Sequence, residues 1–123
     1  DVLRRYKAPD RDTAENALVY ELHAAVLKNL AQACIRLENW TGAIEAADAA
    51  IELAPDDHKA WFRKACALEG LGKIDEAEGC LAKVEECATG RADRERIRKD
   101  AQARREKLQA IREQDQAAGK KML

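Results

Sequence analysis

Shifting the chain by 34 residues lays Leu27 on Trp61, Ala31 on Ala65, Leu37 on Leu71, Trp40 on Ile74, Ala43 on Ala77, Ala47 on Leu81 and Ala50 on Val84. These apolar matches at one offset constrain the fold more than any other feature. A unit of that length holds two helices and a turn, and it buries its apolar face only against a neighbouring unit. The first full unit reads AVLKNLAQACIRLENWTGAIEAADAAIELAPD and the second KAWFRKACALEGLGKIDEAEGCLAKVEE. Small residues recur where paired helices must approach, at Ala31 and Ala65 in the first helices and at Ala43 and Ala77 in the second.

Local signals agree with the period. Asp12 followed by Glu15 forms a capping box that predicts a helix over 13–37. Further helices are predicted over 41–53, stopped before Pro55, over 58–70, and over 75–87, broken by Ala88, Thr89 and Gly90. A last helix is predicted over 91–118. With 46% hydrophobic residues rich in alanine and leucine, 37% charged residues and five aromatic side chains (Tyr6, Tyr20, Trp40, Trp61 and Phe62), the composition suits packed helices with charged faces, so the fold class is all-α. At 123 residues it makes at most one domain. It divides into 1–12, a remnant of a preceding repeat with its loop; 13–90, two repeats; and 91–123, a C-terminal extension helix. The opening DVLRRYKA reads as the end of an earlier unit's second helix, so the chain reads as a piece of something longer.

The extension differs in kind from the repeats. Ile97, Ala101, Leu108 and Ile111 form a narrow apolar stripe, suited to a capping helix that leans one face on the preceding repeat. Residues 91–123 carry a net charge of +5 and residues 1–90 a net charge of −6, an asymmetry hidden in the overall −1. Asp93, Glu95, Asp100, Glu106 and Glu113 are interspersed among the basic residues, which predicts i,i+4 pairing along a solvated helix. Lacking an aromatic residue for stacking, this segment is not expected to bind nucleic acid. At the other end, Leu18, Val19, Leu22 and Val26 of the first long helix have only the stub 1–12 to lie on them, which predicts self-association of this chain through that face.

Chemistry-bearing patterns are sparse. The chain contains no serine, its threonines (Thr13, Thr41 and Thr89) have no neighbouring base in sequence, and GLGK lacks the spacing of a phosphate loop. Cys34, Cys66, Cys80 and Cys87 make no CxxC pair, and His23 and His58 are the only imidazoles, so buried free thiols are expected rather than a metal site. No cofactor is expected, and no apolar run reaches the roughly 18 residues that a membrane span requires. The chain is read as a binding module, not an enzyme, of a reducing, cytoplasmic or also nuclear compartment.

The two units resemble tetratricopeptide repeats, down to the small residues named above and Pro55 closing the first unit. The expected architecture is therefore a helix-turn-helix solenoid of two full repeats, the remnant of an earlier one and a long charged capping helix. In such a stack the first helix of each unit lines a concave groove. KNLAQACIRL followed by KAWFRKA is similar to the carboxylate-clamp class, which holds the acidic EEVD-type C-terminal tail of heat-shock chaperones of the ninety- or seventy-kilodalton class. The resemblance implies that Asn29, Lys59 and Arg63 bind the peptide's carboxylates. It also implies that Lys28, Gln32, Phe62 and Cys66 line the groove, and that two further clamp positions lie in a repeat outside this chain. A cluster of cationic and amide donors suits a chain end, which offers one carboxylate more than an internal segment does.

The connection APDRDTAENALVYELH, the extended first helix and the ending GKKML are similar to the C-terminal domains of FK506-binding immunophilins, which implies a peptidyl-prolyl isomerase domain upstream in a parent protein. Two alternatives stand beside this reading. The repeats can serve as a scaffold for another protein or an internal peptide, or the basic tail can bind calmodulin or another acidic partner.

Overall fold

The computed structural model describes residues 14–122, with side chains from 15 to 116. Five helices follow in order, α1 (Ala14–Arg36), α2 (Trp40–Leu53), α3 (His58–Gly70), α4 (Ile74–Ala88) and α5 (Arg94–Met122). The described residues form an all-α helical repeat solenoid: each helix packs on the next in sequence, and α1 also meets α3, so α1–α2 and α3–α4 stack as two hairpins. Asp12, the stub 1–12 and the terminal Leu123 lie outside the described residues.

The seams are lined by alanine. Ala31, Ala43, Ala47, Ala50, Ala60, Ala67, Ala77 and Ala88 are fully buried. One apolar cluster joins Leu27 of α1 to Ala49 and Ala50 of α2 and Ala60 of α3, and a larger one joins α3, α4 and α5 through Leu68, Leu81, Val84, Ile97 and Leu108. Trp61 and Phe62 pack at the edge of the larger cluster. The Trp61 indole also donates to the Pro55 carbonyl at 2.9 Å, tying the inter-unit loop to α3. Trp40 lies so close to Gly70 that a Cβ there would run into its ring.

The repeat extends to the turns inside each hairpin. Asn39 N–H donates to the Cys34 carbonyl at 2.8 Å, and 34 residues later Lys73 N–H donates to the Leu68 carbonyl at 2.9 Å. Both bonds need a left-handed residue just before the donor. Gly72 supplies it in the second unit (φ 80°) and Glu38 in the first (φ 59°). Glycine adopts this conformation without the Cβ conflict that glutamate carries. The matched pair Leu37 and Leu71 belongs to these turns and not to the core; both are exposed.

α5 begins at Arg94, three residues later than expected, and runs on to Met122. Ile97, Ala101 and Leu108 are buried as the stripe predicts. The charge pattern differs from the expected one. Instead of pairing mainly along the helix, the basic residues cross to α3 and α4: Arg104 and Lys107 to Glu69 at 3.3 and 3.4 Å, Arg105 to Glu85 at 3.3 Å, and Arg112 to Asp75 and Glu78. The acidic residues of the second repeat lie within ion-pair reach of these cations.

On α1, Leu18, Leu22, Val26 and Leu30 are each at least half exposed and form one apolar stripe along the helix. None of the described helices is long and apolar enough to cross a membrane.

Two substitutions test this packing. Ala77→Leu, at a fully buried seam position, should overpack the second hairpin and lower the unfolding free energy by roughly 1–3 kcal/mol in a denaturant titration. Glu38→Gly should raise it by about 1 kcal/mol, by relieving the left-handed glutamate.

Candidate functional site: a cationic groove between the repeats and the terminal helix

α3 carries three cations whose fates differ. Lys64 turns away from the concave side and pairs with Asp48 of α2 at 2.8 Å, its ammonium 5.7 Å from the Trp61 ring centre. Burial works against the Lys64 charge, but the Asp48 hydrogen bond and charge outweigh it and hold the amine above the ordinary lysine value. Lys59 and Arg63, one turn apart, face the other way. Neither side chain has a hydrogen-bond or ion-pair partner among the described residues.

These two line a groove of about 430 Å³. α3 contributes a whole face to it, His58, Lys59, Phe62, Arg63 and Cys66, while α1 adds Gln32 and Ile35 and α4 adds Val84. The far wall is α5, through Arg96, Ile97, Asp100 and Arg104. The floor is apolar and the rim cationic. Such a groove accepts an extended chain with carboxylates at its edges.

Of the residues expected at the site, Lys59, Arg63, Gln32, Phe62 and Cys66 come together here. Asn29 is exposed on α1, one turn ahead of Gln32 and outside the lining. Lys28 is not a lining residue. Its ammonium is drawn 2.5 Å from the Asp57 carboxylate, which forms the N-cap of α3 and accepts from Lys59 N–H at 3.0 Å. That carboxylate thus closes the end of α3 and ties α1 to it. Burial pushes Asp57 upward, but the Lys28 hydrogen bond and charge, together with the Lys59 and Ala60 N–H groups, outweigh it and hold the carboxyl below its ordinary value.

Two features escape the sequence. Arg104 occupies the gap between Ala101 and Leu108 in the α5 stripe, where it is three-quarters buried. Its guanidinium meets the Cys66 thiol at 3.0 Å, Glu69 at 3.3 Å and the Phe62 ring at 5.9 Å to the centre. The seven-residue step in the apolar spacing was the available signal that a long side chain fills that position. The other is His58, buried at the start of α3. Burial pushes its imidazole below the ordinary histidine value, and Arg91 and Lys59 push the same way against Asp57 and Asp93. Among the described residues, no three His, Cys, Asp or Glu side chains are grouped so as to hold a metal ion.

Family models described as tetratricopeptide repeat match residues 24–65, from α1 through α2 into α3, and 58–86, within the second hairpin. Among curated proteins, the chain is 39% identical over 61 residues to sperm-associated antigen 1 of Mus musculus, covering 50% of this chain and 7% of that protein. It is 32% identical over 90 residues to protein unc-45 homolog B of Mus musculus, covering 71% of this chain and 9% of that protein. To the Xenopus laevis protein of the same name it is 36% identical over 69 residues, 56% of this chain and 7% of that one. The chain thus matches less than a tenth of the length of each of these relatives.

The buried imidazole gives a pH test. The unfolded chain binds a proton on His58 more readily than the folded one does, so this contribution is complete above the ordinary histidine value of about 6.5 and is lost as pH falls below it. The Asp57 contribution follows at lower pH, as the solution passes below the ordinary carboxyl value of 3.8. Urea midpoints should therefore fall between about pH 6.5 and 5, and His58→Gln should flatten that segment while leaving the more acidic loss in place.

Proposed function

For a chain built of tetratricopeptide repeats, we propose that the groove holds the C-terminal carboxylate of a partner peptide, and that the module docks a co-chaperone onto the acidic tail of a heat-shock chaperone. The supporting observation is the pairing state of the α3 cations. Lys64 is neutralised by Asp48, whereas Lys59 and Arg63, one turn apart above an apolar floor, lack an anion among the described residues. Two unpaired donors on one rim favour a chain end, whose carboxylate accepts from both. Gln32 adds an amide on the α1 side. The chain acts by binding and not by catalysis; an immunophilin parent with an isomerase domain belongs to this proposal on sequence resemblance alone.

The alternative use of the basic tail for calmodulin or another acidic partner has less support. Arg104, Arg105, Lys107 and Arg112 are already engaged by Glu69, Glu85, Asp75 and Glu78. The scaffold reading, in which the groove takes an internal segment, is separated by experiment. A short acidic peptide with a free C-terminus should bind more tightly than its amidated twin. Lys59→Ala and Arg63→Ala should each weaken the free-acid peptide by about 1.5–3 kcal/mol and alter unfolding by no more than about 0.5 kcal/mol. Equal binding of acid and amide would sink the chain-end reading in favour of the scaffold.

A further inference from the structure

The groove's far wall belongs to neither repeat, and it bears on which peptide fits. At the start of α5, Asp93 accepts from Arg91 Nε at 2.9 Å, from Arg91 Nη2 at 3.3 Å and from Arg96 Nη2 at 3.2 Å. One carboxylate therefore serves two guanidiniums, and the cluster keeps a positive charge that it does not neutralise. Arg96 is both a member of this cluster and a lining residue of the groove. Arg104, the other arginine of that wall, is largely buried and held by Glu69 at 3.3 Å, the Cys66 thiol and the Phe62 ring, whereas Arg96 is mostly exposed. Even with Asp100 of the same wall set against them, Lys59, Arg63 and the under-neutralised Arg96 leave the groove more positive than one chain-end carboxylate balances.

We propose that Arg96 is a second acid-reading residue, taking the carboxylate of an acidic side chain upstream of the peptide's C-terminus while Lys59 and Arg63 take the chain end. Asp100, one turn along the same wall, disfavours a carboxylate beside it and leaves Arg96 as the place for the upstream acid. The terminal helix then sets specificity: the preferred ligand is a peptide with at least one acidic side chain upstream of its C-terminal residue. This inference rests on the groove being the peptide site.

The test uses the full chain and two short free-acid peptides, one ending in Glu-Glu-Val-Asp and the other in Gln-Gln-Val-Asp, together with the amidated form of the first. Arg96→Gln should weaken the Glu-Glu peptide by roughly threefold to tenfold, the range between an exposed ion pair and a charge-assisted hydrogen bond, and should leave the Gln-Gln peptide unchanged within about twofold. Arg98→Gln, on α5 but outside the groove lining, controls for bulk charge and should affect neither peptide. Equal weakening of both peptides by Arg96→Gln, no effect on either, or an equal effect of Arg98→Gln would overturn the role of Arg96. If the wild-type chain still prefers free acid to amide, such a result removes this inference alone. If it does not distinguish them, the chain-end reading falls as well.

Discussion

The close approach of helices along alanine seams is the constraint on which the rest of this structure depends. Ala43, Ala47 and Ala50 of α2 and Ala77 of α4 are wholly buried, and the methyl groups of Ala50 and Ala77 leave room for Leu27 of α1 and Leu68 of α3 to pack in the same clusters. Larger residues fill the space where α3, α4 and α5 meet, as Leu68, Leu81, Val84 and Leu108 show. Interiors pack at crystal-like density, so these short contacts set the tilt between successive helices with little latitude. The position of the face carrying Lys59, Phe62, Arg63 and Cys66 follows from them.

Electrostatics then sorts otherwise similar residues into structural and available ones. Asp57 takes Lys28 into the framework, Asp48 takes Lys64, and Glu69 takes both Arg104 and Lys107. The segregation of acidic repeats from a basic terminal segment, which from composition alone suggests an outside acidic partner, serves largely as internal glue between α5 and the second hairpin. Of the cations left over, Lys59 and Arg63 sit together beside an apolar floor, where opposite charge from another molecule is less screened than in open water.

Much of this was legible in the sequence because it is periodic. The 34-residue offset located both hairpins and the buried alanines, and the facing of Lys59 and Arg63 followed from one turn's spacing on a helix whose other side must be buried. Lys28 shows the limit of such reasoning. Its neighbours on α1 say nothing of Asp57, which comes within reach only when α3 packs on α1. Arg104 was hidden for a related reason, since an arginine in an apolar stripe makes sense only once Glu69, Phe62 and Cys66 are seen around it. Leu37 and Leu71 matched across the repeat because the turns repeat as faithfully as the core, so an apolar match is no guarantee of burial.

Packing of each helix chiefly on its neighbours in sequence, with α1 against α3 as the longer reach, also shapes how the chain reaches this state. Contacts between nearby segments close small loops, and proteins dominated by such contacts fold on microsecond to millisecond timescales. In a linear array of this kind either hairpin can nucleate order, which then spreads along the stack. The groove, by contrast, draws on α1, α3, α4 and α5, and is completed only when that spread has reached the far end of the chain.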